Sequence, residues 1–163
     1  MHNHAPANYL CPICLAIEGI ENENTWIKQA DIFYKDELVM GFISSKAITG
    51  NEGHLLIVPV KHFENLYELP AEYGYRIFEV SKKVTLAMKD VRQCDGVTVL
   101  QNNEPAGDQH AFHYHLHLVP RFTGDHFSEE LWRAQKSAPE DRVDYASALR
   151  KKRIEITKPN PTL

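Results

Sequence analysis

The chain has 163 residues, 43% hydrophobic and 25% charged, which suits one domain with one core. Its net charge of -4 repels polyanions, so long nucleic acid is not an expected partner, and no run reaches the roughly 18 apolar residues of a membrane span. Cys11, Cys14 and Cys94 are an odd count without disulfide-scaffold spacing, and MHNHAPANYL lacks the basic-then-apolar pattern of a secretory signal, so a cytoplasmic protein is expected.

Near the N-terminus, CPIC sets Cys11 and Cys14 three apart, a spacing used for redox chemistry or for metal. The redox use normally follows a strand in a βαβ unit, and only ten residues precede Cys11. Cys94, in QCDG, reads as a packing residue. DIFYKD and ELVMGFIS carry β-branched and aromatic residues around a polar KDE, the pattern of a β-hairpin. SSKAITGNEG is a loop by composition, HLLIVPV a short apolar strand closed by Pro59, and KHFENLYELP a connection whose last proline suits a helix start.

From Ala71 to Gln93 the apolar residues Tyr73, Ile77, Val80, Val84, Ala87 or Met88, and Val91 recur every three or four positions, the stripe of an amphipathic helix. Asp95-Gly96 breaks it, GVTVLQNN then reads as a strand, and NEPAGDQHA as a loop. HYHLHLVPR, residues 113–121, is a strand by alternation. SEELWRAQKS and RVDYASALRKK are weaker helical stretches, RKKR at 150–153 is a solvated charge run, and the prolines of ITKPNPTL argue against a regular ending. This order, with short strand connections, makes an α+β domain: an antiparallel sheet of about five strands, a long helix packed on one face, and a C-terminal helical extension.

Alternation puts His113, His115 and His117 on one strand face and Tyr114, Leu116 and Leu118 on the other. Three imidazoles in register admit three readings: a merely polar face, a metal site that needs a ligand from elsewhere, or a nucleophile flanked by groups that orient its electrophile. Neutral histidine is a competent nucleophile near pH 7, because its ordinary pKa is about 6.5.

HYHLHLV resembles the His-φ-His-φ-His-φ-φ signature (φ apolar) of the histidine triad, or HIT, superfamily of nucleotide hydrolases and transferases, a motif that fixes seven consecutive positions. GHLLIVPVKH and QNNEPAGDQHAFHYHLH are similar to the family's neighbouring segments in order and spacing, and CPICLAIEG to the start of its zinc-bearing bacterial branch. The resemblance covers roughly residues 10 to 124 and implies a HIT domain over 1–124, with 125–163 an extension packed on or flanking it. By the same resemblance, His115 is the nucleophile at the α-phosphorus of a purine nucleotide or dinucleotide. His117 contacts the phosphate and assists the leaving group, while Asn102 and Gln109 hold the phosphate. His54 matches a histidine near the active site, although a structural imidazole fits it equally; Phe42 and Ile43 suit either a base pocket or the core, and Phe33 the core. Cys11, Cys14, His62 and His113 match a structural zinc set, and a homodimer is implied.

Departures from the family pattern bear on specificity. Ser44 stands where an Asp commonly binds the ribose hydroxyls, and His110 where Ser or Thr commonly serves the leaving group. The loop before His54 is about two residues longer than usual. The expected activity is hydrolysis of nucleoside phosphoramidates or dinucleoside polyphosphates through a nucleotidyl-histidine, with His110 able to protonate the leaving group. A nucleotide-binding or scaffolding protein with little turnover, and a metalloenzyme with a catalytic ion on the triad, are the alternatives.

Overall fold

The computed structural model describes residues 2–22 and 25–152. The tail ITKPNPTL and Arg153 of the RKKR run lie outside the described residues. Chain order is α1 (Pro12–Ile17), β1 (Ile32–Lys35), β2 (Val39–Ile43), β3 (Lys46–Ala47), β4 (Leu55–Pro59), α2 (Ala71–Arg92), β5 (Gly96–Gln101), β6 (Leu116–Arg121), α3 (Phe127–Glu130), β7 (Gln135–Lys136) and α4 (Pro139–Lys151). Five strands form one antiparallel sheet in the order β1-β2-β4-β6-β5, the α+β arrangement expected from the sequence. Among the described residues no helix is long and apolar enough to cross a membrane.

Helix α2 forms where the apolar stripe runs, and Ile77, Val80, Val84 and Met88 are its fully buried members. Each is worth about 2 kcal/mol of burial. The helix ends at Gln93, whose left-handed backbone (φ 52°) lets its N–H donate to the Lys89 carbonyl, and Lys89 Nζ donates to the carbonyls of Cys94 and Asp95 beyond the end. Under the helix the sheet presents Val39, Ile43, Leu55, Ile57, Leu116 and Leu118. Ile43 therefore belongs to this core and not to a base pocket. At Gly41 a Cβ would sit 2.7 Å from the Phe33 ring, so β1 and β2 pack this closely only over a glycine.

The opposite sheet face carries a row fixed by register, in which Phe42 pairs with Leu56, Leu56 with His117, and His117 with Leu100. This face holds the site. The predicted strand 113–121 enters the ladder only at Leu116. Before that, the Tyr114 N–H donates to the Phe63 carbonyl and the His113 carbonyl accepts from His115 Nδ1, so these residues turn out of the sheet while Tyr114 still reaches the core.

The extension departs from expectation in one place. SEELWRAQKS is not one helix: α3 stops after four residues, a 3-10 turn covers Leu131–Arg133, and β7 pairs with β3 inside the segment read as a loop. RVDYASALRKK forms most of α4, and its Tyr145, Ala146 and Leu149 join the core beside α2. Arg142, on the same stripe, pairs with Asp31 through Nε and Nη2, one guanidinium edge, at 2.9 and 3.0 Å and donates to the carbonyls of Trp26 and Ser137. Arg150 donates to the carbonyls of Ala30 and Ile32, and Lys152 pairs with Asp90, so this part of the RKKR run is tied to the fold.

Candidate active site

Cys11 caps α1, its Sγ accepting from the Cys14 N–H, which folds the CPIC turn so that both sulfurs face one point. Strand β4 ends at Pro59 and delivers His62, and the bend before β6 delivers His113. The ligand atoms of Cys11, Cys14, His62 and His113 all lie within 4.8 Å of one another. Cys11 Sγ is 3.4 Å and Cys14 Sγ 3.6 Å from His113 Nδ1, and Cys14 Sγ is 3.3 Å from His62 Nδ1. His113 Nε2 donates to the Pro59 carbonyl at 2.9 Å, which turns the bare Nδ1 toward the thiols. Burial lowers His113 to about 3, so the ring is neutral, as a metal ligand must be. The four residues make a set capable of holding a metal ion.

Next to it, across the sheet face, lies a cavity of about 570 Å³. His115 Nδ1 donates to the His113 carbonyl at 2.6 Å, so the proton sits on Nδ1 and the Nε2 lone pair is left for the cavity. His117 follows two residues on, its ring 4.7 Å from that of His115, and its Nδ1 lies 2.7 Å from His54 Nε2. Burial holds His115, His117 and His54 below the ordinary imidazole value, His54 at about 4; repulsion from His115 adds to the effect at His54 and His117, and repulsion from His110 adds to it at His115. His110 is exposed at the mouth, and Asn102 lines the same wall while its Nδ2 donates to the Asp108 carbonyl.

Histidines in register over a cavity, beside a Cys-Cys-His-His cluster, are the geometry that the triad signature anticipates. The HIT domain family matches residues 27–124, more than half of the chain. The chain belongs to the HIT family. It is 34% identical over 122 residues to "Protein hit" of Bacillus subtilis, covering 73% of this chain and 82% of that one. A Zn-bound histidine triad family protein from Mycobacterium smegmatis has a similar structure, with a TM-score of 0.69 at 27% identity over 87% of this chain and 91% of that one. An adenosine 5'-monophosphoramidase of Saccharomyces cerevisiae is 37% identical over 70 residues, 43% of this chain and 42% of that protein.

Within this HIT domain, Phe42, Ser44, His54, Asn102, His110, His115 and His117 all line the cavity. Gln109 does not. Its side chain is buried behind the wall, Nε2 donating to the carbonyls of Glu64 (2.6 Å) and Ala111 (3.1 Å) while Oε1 accepts from the Glu104 N–H (2.8 Å). Both of its donors are spent on backbone, so it shapes the loop. Ser44 is buried with its Oγ accepting from the Lys46 N–H. Sequence reasoning missed Ile13, Trp26, Ile27, Lys46, Leu100 and Leu131 of the lining. For Leu100 the alternation in GVTVLQ was a usable signal, since the register puts it beside His117.

Proposed function

We propose that this chain is a nucleotide hydrolase that cleaves at the α-phosphorus through a covalent nucleotidyl-histidine on His115. The observation that carries the reading is the His115 Nδ1 bond to the His113 carbonyl, which leaves Nε2 as a free lone pair toward the cavity. In this mechanism His115 Nε2 forms a bond to phosphorus while the bond to the leaving group breaks, and His110 gives that group its proton. His54 Nε2 and His117 Nδ1 lie 2.7 Å apart and share one hydrogen bond; in the mechanism His54 is its donor, so that His117 presents Nε2–H to a phosphate oxygen. Water then attacks the phosphorus, the P–N bond breaks, His110 takes up the water proton, and the nucleoside monophosphate leaves. Similarity to an adenosine monophosphoramidase supports a nucleoside phosphoramidate as substrate.

The Cys11, Cys14, His62 and His113 set fits zinc. A tetrahedral ion with bonds of about 2.3 Å to sulfur and about 2.0–2.1 Å to nitrogen spaces a sulfur and a nitrogen about 3.5 Å apart, against 3.3–3.6 Å for three sulfur–nitrogen pairs here, in a set whose ligand atoms all lie within 4.8 Å. Four protein ligands close the site to substrate, so the metal would tie α1 to the backbone that carries His115 and take no part in turnover. Replacing His115 by Ala should abolish turnover and leave monophosphate binding within a few-fold; full turnover in that variant would remove the nucleophile. A binding protein with little turnover is the second reading, motivated by Ser44, whose hydroxyl already serves the Lys46 N–H. It predicts tight monophosphate binding with no hydrolysis of any candidate.

A further inference from the structure

We infer that the N-terminal arm, residues 2–9, is a clasp that fixes the loop 102–112 at the cavity, and that His4 is a positioning residue that acts on turnover through Glu104. The effect on turnover rests on the hydrolase reading above, because this loop brings Asn102 and His110 to the cavity, with Gly107, Asp108 and Ala111 beside them. The arm grips the loop near both ends. At its start, His4 Nε2 lies 2.9 Å from Glu104 Oε2, and since a carboxylate only accepts, the imidazole donates; His2 Nδ1 is 3.9 Å from the other carboxylate oxygen. At its end, the Phe112 N–H donates to the Tyr9 hydroxyl at 3.1 Å and the two rings meet edge to face at 5.5 Å.

A clasp must itself be anchored, and this one is anchored away from the loop. The Glu64 carboxylate is buried and accepts the His4 N–H through one oxygen and the Ala5 N–H, at 3.3 Å, through the other. Asn65 Nδ2 donates to the His2 carbonyl at 3.1 Å and to Asn3 Oδ1 at 2.9 Å, and Asn3 Nδ2 donates to Glu68 Oε1 at 2.7 Å. A buried carboxylate needs its donors, so Glu64 ties the arm into the fold. Residues 2–9 precede the segment that matches the HIT domain, 27–124, so the clasp is an addition to the common domain.

Glu104 is the residue through which the arm acts. Its left-handed backbone (φ 62°) is one that a non-glycine residue holds only when its surroundings fix it. Its carbonyl accepts from the Gly107 and Gln109 N–H groups at 3.0 and 3.1 Å and its own N–H donates to Gln109 Oε1, so its main chain organises the turn that leads to His110. Its carboxylate is what the arm holds: the His4 bond, ahead of one from Tyr67, keeps that carboxyl below the usual range. Without His4 the strained residue is free to relax, and the turn moves with it. Proton delivery by His110 needs hydrogen-bond reach of the leaving atom, so kcat falls. Phe42 and Ser44 reach the cavity from β2 and the residue after it, outside the loop, so monophosphate affinity holds.

The test joins kinetics on an adenosine phosphoramidate to native-state hydrogen exchange. His4→Ala should lower kcat about fivefold and leave AMP affinity within about twofold. His4→Gln, which keeps an N–H donor near the Nε2 position, should restore kcat to within about twofold of wild type. In a Glu104→Ala background, His4→Ala should cost nothing further, because the two residues act as one unit. The amides of Glu104, Gly107 and Gln109 should exchange about fivefold faster in His4→Ala, with those of α2 unchanged. Unchanged exchange at these three amides overturns the clasp. Faster exchange with unchanged kcat overturns the positioning role, and an equal loss in the Gln variant or in the Glu104→Ala background overturns the route through Glu104. A wild-type chain that hydrolyses no phosphoramidate overturns the hydrolase reading and with it the effect on turnover, while the exchange rates still decide the clasp.

Discussion

Replacing Gln109 by Ala separates a phosphate-binding role from the architectural role that its contacts indicate. Truncation removes three hydrogen bonds of 2.6, 2.8 and 3.1 Å from a side chain that is 2% exposed. The Ala111 carbonyl keeps the His113 N–H as a partner, but the Glu104 N–H and the Glu64 carbonyl lose the side chain that served them. Two stranded backbone groups at the low end of the usual range, together with the lost bonds, come to about 3 kcal/mol. Glu104 adds a second liability, since its backbone (φ 62°, ψ 159°) is a conformation that non-glycine residues rarely hold, costing about 1–3 kcal/mol. Freed from Gln109, the loop that carries Asn102 and His110 should relax. Thermal unfolding should fall by roughly 6–12 °C, and kcat should fall with it. Gln109→Glu should be worse, because a carboxylate would face two carbonyl oxygens. An unchanged melting temperature with a large loss of phosphate affinity would refute this reasoning and restore Gln109 as a phosphate ligand.

Three further outcomes are expected. Arg142→Met leaves Asp31, which is fully buried, without its ion-pair partner and should cost about 3–5 kcal/mol in urea unfolding. Adding Asp31→Leu should recover much of that loss, and no recovery would count against the buried pair as the cause. Because His54 sits at about 4 in the fold and near 6.5 unfolded, the unfolded state binds more protons between these values. The stabilisation from His54 is therefore full above pH 6.5 and its share, about 3 kcal/mol, should be lost as pH falls toward 4; His113, His115 and His117, also held low by burial, add to the same slope, so His54→Gln should make it shallower without abolishing it in denaturant titrations at several pH values. Cys11→Ser should lower zinc content from near one per chain to near zero by elemental analysis, with a lower melting temperature; unchanged zinc would exclude the four-residue set.

Much of the fold was legible because its signals are local. The spacing of Ile77, Val80, Val84 and Met88 marks α2, and alternation in HYHLHLV sends Tyr114, Leu116 and Leu118 to the core and the histidines to the other face. Composition and spacing carry no information about pairings across a long separation, and those are what the reading lacked. Strands β3 and β7 have two residues each and owe their existence to tertiary pairing, so neither has a period to detect. Gln109 sits in the expected loop, but only the positions of Glu64 and Ala111 show that its amide is already occupied. Arg142 offered a usable hint: it shares the 142, 145, 149 stripe of α4 with Tyr145 and Leu149, and a charge on an apolar stripe asks for a buried partner.

The central claim is that His115 carries the nucleotide. Rapid acid-free quench of the wild-type chain with a phosphoramidate labelled in the nucleoside, followed by peptide mapping, should find the label on His115 during turnover and on no residue of His115→Ala. Turnover without a labelled protein, or a label that maps to another residue, would contradict the account.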